Sequence, residues 1–224
     1  MSEREGTAAA EPGRAAADAS TVILVGAGRF AEEITDVAAD AGVEVAAWIE
    51  GLDPSRADAA HDPPILWVDE QAGFGPDLPI LPAIGSVKRR ALVERLTGEG
   101  RRLATVVHPS AVVARSAVVE PGCVIFAGVV IGARSRIGTG TIVNRGALIG
   151  HHTTVGAHAF IGPGATIAGG VEIGDGAWIG IGSIVRDDRR LGAGVTVGAG
   201  AVVVADVAEG VTVIGLPARP MERA

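Results

Sequence analysis

From Val113 to Val203 an aliphatic residue stands at every sixth position without a break. The series runs Val113, Val119, Ile125, Ile131, Ile137, Val143, Ile149, Val155, Ile161, Ile167, Ile173, Ile179, Val185, Leu191, Val197, Val203, and Val107 extends it by one step. A fixed short period marks a solenoid, and a six-residue period predicts an all-β C-terminal domain over residues 106–224, built as a parallel β-helix. Gly or another small residue usually follows the aliphatic position at i+1. Position i+4 is small too, from Ala117 and Cys123 to Ala159 and Ala165, and is expected to let the chain turn at each corner. Three hexads make one coil, so residues 18 apart should stack at about the 4.8 Å strand spacing.

The same register sorts the outward position, i−1, into three faces. One carries Val124, Ile142, Phe160 and Trp178. A second carries Val112, Val130, Leu148, Thr166 and Ile184. The third carries Val118, Arg136, Thr154, Glu172 and Arg190 and is mostly polar. Two exposed apolar faces imply an interface. Unlike faces meeting head to tail close into a ring, which predicts a homotrimer.

Residues 21–105 carry another pattern. Thr21–Val25 reads as a short buried strand, Gly26–Ala31 as a turn and Glu32–Ala41 as a helix with Ile34, Val37, Ala38 and Ala41 inward. Val43–Ile49 is a second strand and residues 51–64 a loop. Ile80–Ile84 is a third strand, and Val87–Leu96 a helix with Val87, Ala91, Leu92 and Leu96 inward. This alternation predicts a small Rossmann-like α/β domain with a parallel sheet of about three strands. Met1–Ser20, rich in Ala, Glu and Arg, reads as a disordered tail.

Composition narrows the function classes. The 33 glycines lie mostly in the repeat and mark corners. A net charge of −7 without any basic run argues against nucleic acid as partner. Absence of a long apolar stretch or signal-peptide core predicts no membrane span and a cytoplasmic protein. The single cysteine, Cys123, excludes an intrachain disulfide and fits a reducing compartment.

Two constellations carry candidate chemistry. Gly26-x-Gly28-x-x-Ala31 follows a strand and opens a helix, with Glu50 near the end of the next strand. This approaches a dinucleotide fingerprint, in which phosphate rests on backbone N–H groups at a helix N-terminus. The short domain suits a nucleotide-linked ligand better than NAD. A ligand-free tight turn is the alternative. His151 and His152 fall at corner positions and should point out of the prism, as should His158. At the seam of a trimer, His151 would be partly dehydrated and suited to act as a general base. A zinc site is not expected, because 18 residues from His151 the chain offers only Ala133 and Gly169.

With these features the chain resembles the sialic acid O-acetyltransferase type of sugar O-/N-acyltransferases, hexapeptide-repeat enzymes acting on nucleotide-linked amino sugars. The resemblance covers residues 22–221. It rests on the glycine turn, Ala83-Ile-Gly85-Ser86 before a helix with Arg89 and Arg90, and His108-Pro-Ser-Ala111. Asn144 to His151, Gly162-Pro-Gly-Ala165 and Gly215-Leu-Pro-Ala-Arg219 complete it. It implies a left-handed β-helix and acyl transfer from acetyl-CoA to an amine or hydroxyl at a subunit interface. His151 would be the base, with Asn144 and His152 beside it. CoA would lie along Phe160, Gly162, Trp178, Gly180 and Ile181, with Arg219 near its phosphates. The nucleotide sugar would lie on Gly26, Gly28, Phe30, Glu50, Gly85 and Ser86. Alternatives are a non-catalytic sugar-nucleotide-binding relative and an O-acetyltransferase of free or polymer-linked sugars.

Three positions depart from that family's pattern. Phe30 stands where a His is usual in the glycine turn. His152 replaces the acidic residue that usually follows the base, and Phe160 replaces a second His nine positions on. Phe160 and Trp178, one coil apart, should form an outward aromatic wall that either widens the acyl site or tightens the trimer.

Overall fold

The computed structural model describes residues 19–86 and 88–221; the tail read over Met1–Ser20 lies outside them as far as residue 18. Strands β1 (Thr21–Val25), β2 (Glu44–Glu50), β3 (Ile65–Trp67) and β4 (Ile80–Pro82) form a parallel sheet in the order β3-β2-β1-β4. That is one strand more than the sequence pattern indicated. Ile65–Trp67 is three residues long and follows two prolines, too short to show a period, yet it pairs with Trp48–Glu50. Helix α1 (Arg29–Asp40) starts three residues earlier than expected, because Gly28 is extended at φ −111° and serves as the N-cap. Within residues 51–64, Pro54–Arg56 form a 3₁₀ turn.

Helix α2 (Arg89–Gly98) is rotated relative to expectation. It buries Arg89, Leu92, Val93 and Leu96, while Ala91 faces solvent; Val87 lies outside the described residues. The inward stripe at i, i+3, i+4 and i+7 is regular. Its first member is a charged residue, which a hydrophobic pattern passes over.

Residues from Val106 to Val203 wind as a parallel β-helix of two-residue strands in three sheets, and Thr212–Ile214 and an antiparallel Arg219–Pro220 close one of them. Partners are 18 residues apart, as in Ile142↔Phe160 and Ile149↔Ile167. The last coil is shortened to 16, with Thr196↔Thr212 and Leu191↔Val207. The six-residue aliphatic ladder fills the interior. The i+4 residues also point inward: Cys123, Ser135, Thr141, Thr153 and Ala159 are fully or almost fully buried. They are small because they fill the inside of a corner, and they do not make the turn. The bend falls one residue earlier, at i+3. There Gly128, Gly140, Gly146, Gly164 and Gly170, among others, take positive φ, and Arg134, His152, His158 and Asp188 do so without being glycine.

The two parts join over one prism face. Val106, Val124, Ile142 and Phe160 are buried, sharing one apolar cluster with Val22, Leu24, Ala31 and Ile34 of the N-terminal domain. The expectation that this face meets a neighbouring subunit is therefore corrected over these coils, because the chain's own α/β domain covers it. The second apolar face stays open, with Val112 62%, Leu148 44% and Ile184 46% exposed. A His108–Asp40 hydrogen bond and the Arg145–Glu33 ion pair border the junction. His108 Nδ1 accepts the Ser110 N–H, so its Nε2–H donates to Asp40 at 3.0 Å.

Arg89 binds the junction from inside. Its Nη1 donates to Ile84 O, and its Nη2 donates to His158 O and Ala159 O, at 2.9–3.0 Å. Burial depresses its pKa to about 10, so it is still charged at neutral pH. It has carbonyl partners and no carboxylate among its contacts, so its removal strands acceptors across the seam. Arg89→Met should lower the unfolding free energy by about 1–3 kcal/mol, the usual penalty for orphaned buried acceptors. Chemical denaturation checks this, and protease cleavage between the two parts should accelerate in parallel.

Candidate active site

The β-helix corner between the open apolar face and the polar face is formed by residues 150–153. His151 and His152 are both exposed there. Their Nδ1 atoms are 3.0 Å apart and the rings stand edge to face at 86°. For that hydrogen bond one Nδ1 carries the proton and the other accepts it. If His151 donates, its Nε2 is left as a free acceptor. One coil on, Gly169 makes room for the imidazole: a Cβ there would lie 2.6 Å from His151 Cε1. The pair occupies a strained corner, since His152 sits at φ 56° where most coils have glycine.

Asn144 is at the other edge of the same open face, at the corner that precedes strand Leu148–Ile149. It is buried, and its Oδ1 accepts the Arg145 N–H at 2.8 Å. Within one chain Asn144 and His151 are thus separated by the width of a prism face.

The glycine turn forms part of a cavity of about 290 Å³ lined by Gly26, Gly28, Phe30, Glu50, Gly85 and Ser86 together with Arg29, Leu52, Arg56 and Ile84. All six residues singled out from the sequence for the sugar nucleotide converge here. Gly26 is required sterically, because φ is +131° and a Cβ would meet Ala83 O at 2.7 Å. Glu50 lines the cavity and is also engaged within the chain. It is only 3% exposed, its Oε1 accepts the amide of Leu52 at 2.7 Å, and its Oε2 pairs with Arg56 Nη1 at 3.1 Å. Both carboxylate oxygens have partners within the chain, Oε1 on the Leu52 and Asp53 amides and Oε2 on Arg56. Arg56 escaped the sequence reading. It lies in a polar loop, and nothing in its neighbours announces that its side chain folds back on the glycine turn.

The aromatic wall turns inward. Phe160 stacks on Trp178 with centroids 4.1 Å apart and planes 10° from parallel. Phe30 packs on Phe160 at 6.2 Å and on Phe126 at 5.8 Å. Phe160 is buried beneath the N-terminal domain and Trp178 is half-buried. The expected choice between a wider acyl site and a tighter trimer is replaced by a third outcome, packing between two parts of one chain. Gly162 and Gly180 are corner residues whose Cβ atoms would meet the backbone of the next coil at 2.7 and 2.5 Å. Coil stacking alone accounts for both. Ile181 is exposed beside Gly180, and Arg219 is exposed at the far end of the prism on a strand paired with Thr212–Ile214.

Two other candidate groups fall outside this geometry. Cys123 is buried and its thiol is pushed up to about 12, so it is no nucleophile. His158 sits between the prism and α2, its Nε2 4.0 Å from Glu94 and its Nδ1 buried without a hydrogen-bond partner. Among the described residues there is no cluster of three or more His, Cys, Asp or Glu suited to a metal ion, and no helix long and apolar enough to cross a membrane.

The chain has known likenesses. The family model for bacterial transferase hexapeptide repeats (six repeats) matches residues 170–205. Perosamine N-acetyltransferase from Caulobacter crescentus, solved as a histidine-to-asparagine variant with CoA and GDP-perosamine, is 33% identical. The match covers 93% of this chain and 100% of that one at a TM-score of 0.84. The acetyltransferase domain of PglB from Neisseria gonorrhoeae, solved with acetyl coenzyme A, is 32% identical over 90% of this chain and 99% of that one, TM-score 0.82. WeeI from Acinetobacter baumannii is 26% identical over 90% and 100%, TM-score 0.78. None of the curated protein sequences matches.

Burial holds the His158 imidazole below its usual pKa, helped by the nearby Arg89 charge. The unfolded chain therefore takes up a proton near pH 6.5 while the folded chain does not. Stability should fall as pH drops below about 6.5, until the folded-state value is passed. His158→Asn, which tolerates the positive φ, should flatten that acid-side loss of melting temperature relative to the native chain.

Proposed function

The chain belongs to the hexapeptide-repeat sugar acyltransferases, and we propose that it moves an acetyl group from acetyl-CoA to an amine or hydroxyl of a nucleotide-linked sugar with His151 as general base. A cytoplasmic setting accords with its single cysteine, which is buried and unpaired. The observation that carries the catalytic reading is the His151 corner: an exposed imidazole over a glycine, hydrogen-bonded at Nδ1, beside an uncovered apolar face.

In the mechanism, His151 Nδ1–H donates to His152 Nδ1, which leaves His151 Nε2 free to accept the proton of the attacking amine or hydroxyl. The nucleophile adds to the thioester carbonyl as that proton leaves. Collapse of the adduct expels the CoA thiolate, and the imidazolium returns the proton to sulfur. No acyl-enzyme forms. His152 fixes the tautomer and spreads the positive charge that arises on His151, as a second group on the far ring nitrogen does generally.

One chain cannot complete this site. The N-terminal cavity lies with the domain that covers one prism face, and His151 is at the corner opposite that face. The open face with Val112, Val130, Leu148 and Ile184 runs between the Asn144 corner and the His151 corner. We assign that face to subunit contact in a homotrimer. The seam would bring the His151 corner of one chain to the Asn144 edge and nucleotide cavity of the next. The relatives solved with CoA, with acetyl-CoA and with GDP-perosamine support the choice of donor and acceptor class.

His151→Ala should reduce turnover by about 10² or more, the usual contribution of a general base, with the oligomer intact. Gly169→Ala should depress turnover in the same direction with little change in melting temperature, because its Cβ displaces the ring and not the backbone. Hybrid assembly tests the shared site. Chains carrying His151→Ala mixed with chains carrying Gly28→Val, each inactive alone, should recover roughly a quarter of native activity through random association in a ring. No recovery would confine the site to one chain.

A further inference from the structure

The cavity at the glycine turn holds a cation that the sequence pattern did not announce. Arg56 ends the 3₁₀ turn Pro54–Arg56, which is fixed by Asp53: its carboxylate accepts the Ser55 amide at 3.0 Å and the Ser55 hydroxyl at 2.7 Å. From there the side chain crosses to the turn, where Nη2 donates to Ala27 O and lies 3.8 Å from where a Gly28 Cβ would be. Nη1 rests 3.1 Å from the buried Glu50 carboxylate, and the Arg56 side chain is still 48% exposed.

We propose that Arg56 grips the diphosphate of the nucleotide-linked substrate, and that Glu50 is its holder and not the partner of the ribose. This inference rests on the reading of the cavity as a nucleotide-sugar site. A guanidinium has five N–H donors. Ala27 O and Glu50 engage one N–H group on each terminal nitrogen, so the rest of the fork is available to anionic oxygens, for which its planar geometry is suited. Charge complementarity points the same way. The charged side chains that line the cavity are Arg29, Arg56 and Glu50, a local excess of one positive charge on a chain of net charge −7. Glu50 is a buried anion whose Oε1 is held by the Leu52 amide, so its Oε2 fixes the guanidinium in place before ligand arrives. A preset cation pays less ordering entropy on binding than a free one. An arginine needed only to hold the loop would serve equally well without an open side facing the glycine turn.

The test compares binding of UDP, GDP and dTDP with that of uridine, guanosine and thymidine, by calorimetry on the full chain. Acyl-CoA KM and melting temperature are measured alongside. For the nucleobase that binds best, Arg56→Gln should weaken the diphosphate by about tenfold to a hundredfold, the range for hydrogen bonds to a charged group. The matching nucleoside should change less than about twofold, and the KM for acyl-CoA should not change. Arg56→Lys should recover part of the loss as a point charge without a fork. Glu50→Gln, which keeps the cation but loosens its seat, should fall between native and Arg56→Gln. Equal weakening of nucleoside and diphosphate would reduce Arg56 to a structural tie and overturn the inference. So would unchanged diphosphate binding in Arg56→Gln. If none of the diphosphates binds the native chain, the nucleotide reading of the cavity falls with it.

Discussion

The closeness of successive coils is the constraint on which the rest of the structure depends. At Gly132, Gly150, Gly156, Gly174 and Gly180 a Cβ would come within 2.5–2.6 Å of the backbone of the next coil. This is inside any real carbon contact, so the spacing of strands admits only glycine at those corners. Two residues later the chain must pass through positive φ to turn. With both positions set, the strand between corners has no freedom of register: i and i+4 go in, i−1 goes out. A slip by one residue would expose the whole aliphatic ladder and bury Arg136, Glu172 and Arg190. The corners therefore project at fixed heights, and whatever side chain a corner carries is presented rigidly. His151 and His152 owe their 3.0 Å contact to this.

The partition of faces has a second consequence. The prism offers two apolar outer faces, and the α/β domain takes one of them, burying Val124, Ile142 and Phe160. What is left is a single apolar strip and a histidine corner that points away from the chain's own glycine-turn cavity. Hydrophobic burial thus sets the glycine-turn cavity and the histidine corner apart within each chain, and in the proposed trimer the open strip would supply the force that brings them together between chains. In that proposal folding and assembly are two uses of the same outward positions. The difference between them is only which neighbour reaches each face first.

Much of this was legible in the sequence, for definite reasons. A six-residue ladder repeated over many coils leaves no alternative period, so the solenoid, its inward residues and its three outward columns could be read directly. The glycine turn was legible because a strand–turn–helix unit sets Gly26 and Gly28 at its bend, while Phe30, Gly85 and Ser86 came from the family resemblance. What escaped depended on contacts between distant segments. Arg89 is a charged residue on the inner stripe of α2, bonded to carbonyls about 70 residues away. Arg56 approaches Ala27 across 29 residues. Strand β3 is too short to show alternation. The fate of the Phe160 face was missed because an outward apolar position does not say whether its partner is the same chain or another.

Phe30 and Phe160 look like independent departures in the sequence, one in the glycine turn and the other in the prism. In the structure they are one feature. Their rings pack on each other at 6.2 Å and extend, through Phe126 on one side and Trp178 on the other, into an aromatic stack along the domain junction. A polar imidazole at either position would face the apolar partner at the other and lose hydration without gaining a bond, so replacement of one favours replacement of the other. The stack also removes both positions from proton transfer, since neither ring titrates. Among the described residues, imidazoles are exposed side by side only at the His151 corner, where the base is proposed. There His152, occupying a left-handed conformation that glycine would adopt more cheaply, supplies the second ring nitrogen against which His151 is oriented. The strain at His152 and the aromatic seam between the domains are therefore complementary. Polar chemistry is withdrawn from the covered face and concentrated at the open corner.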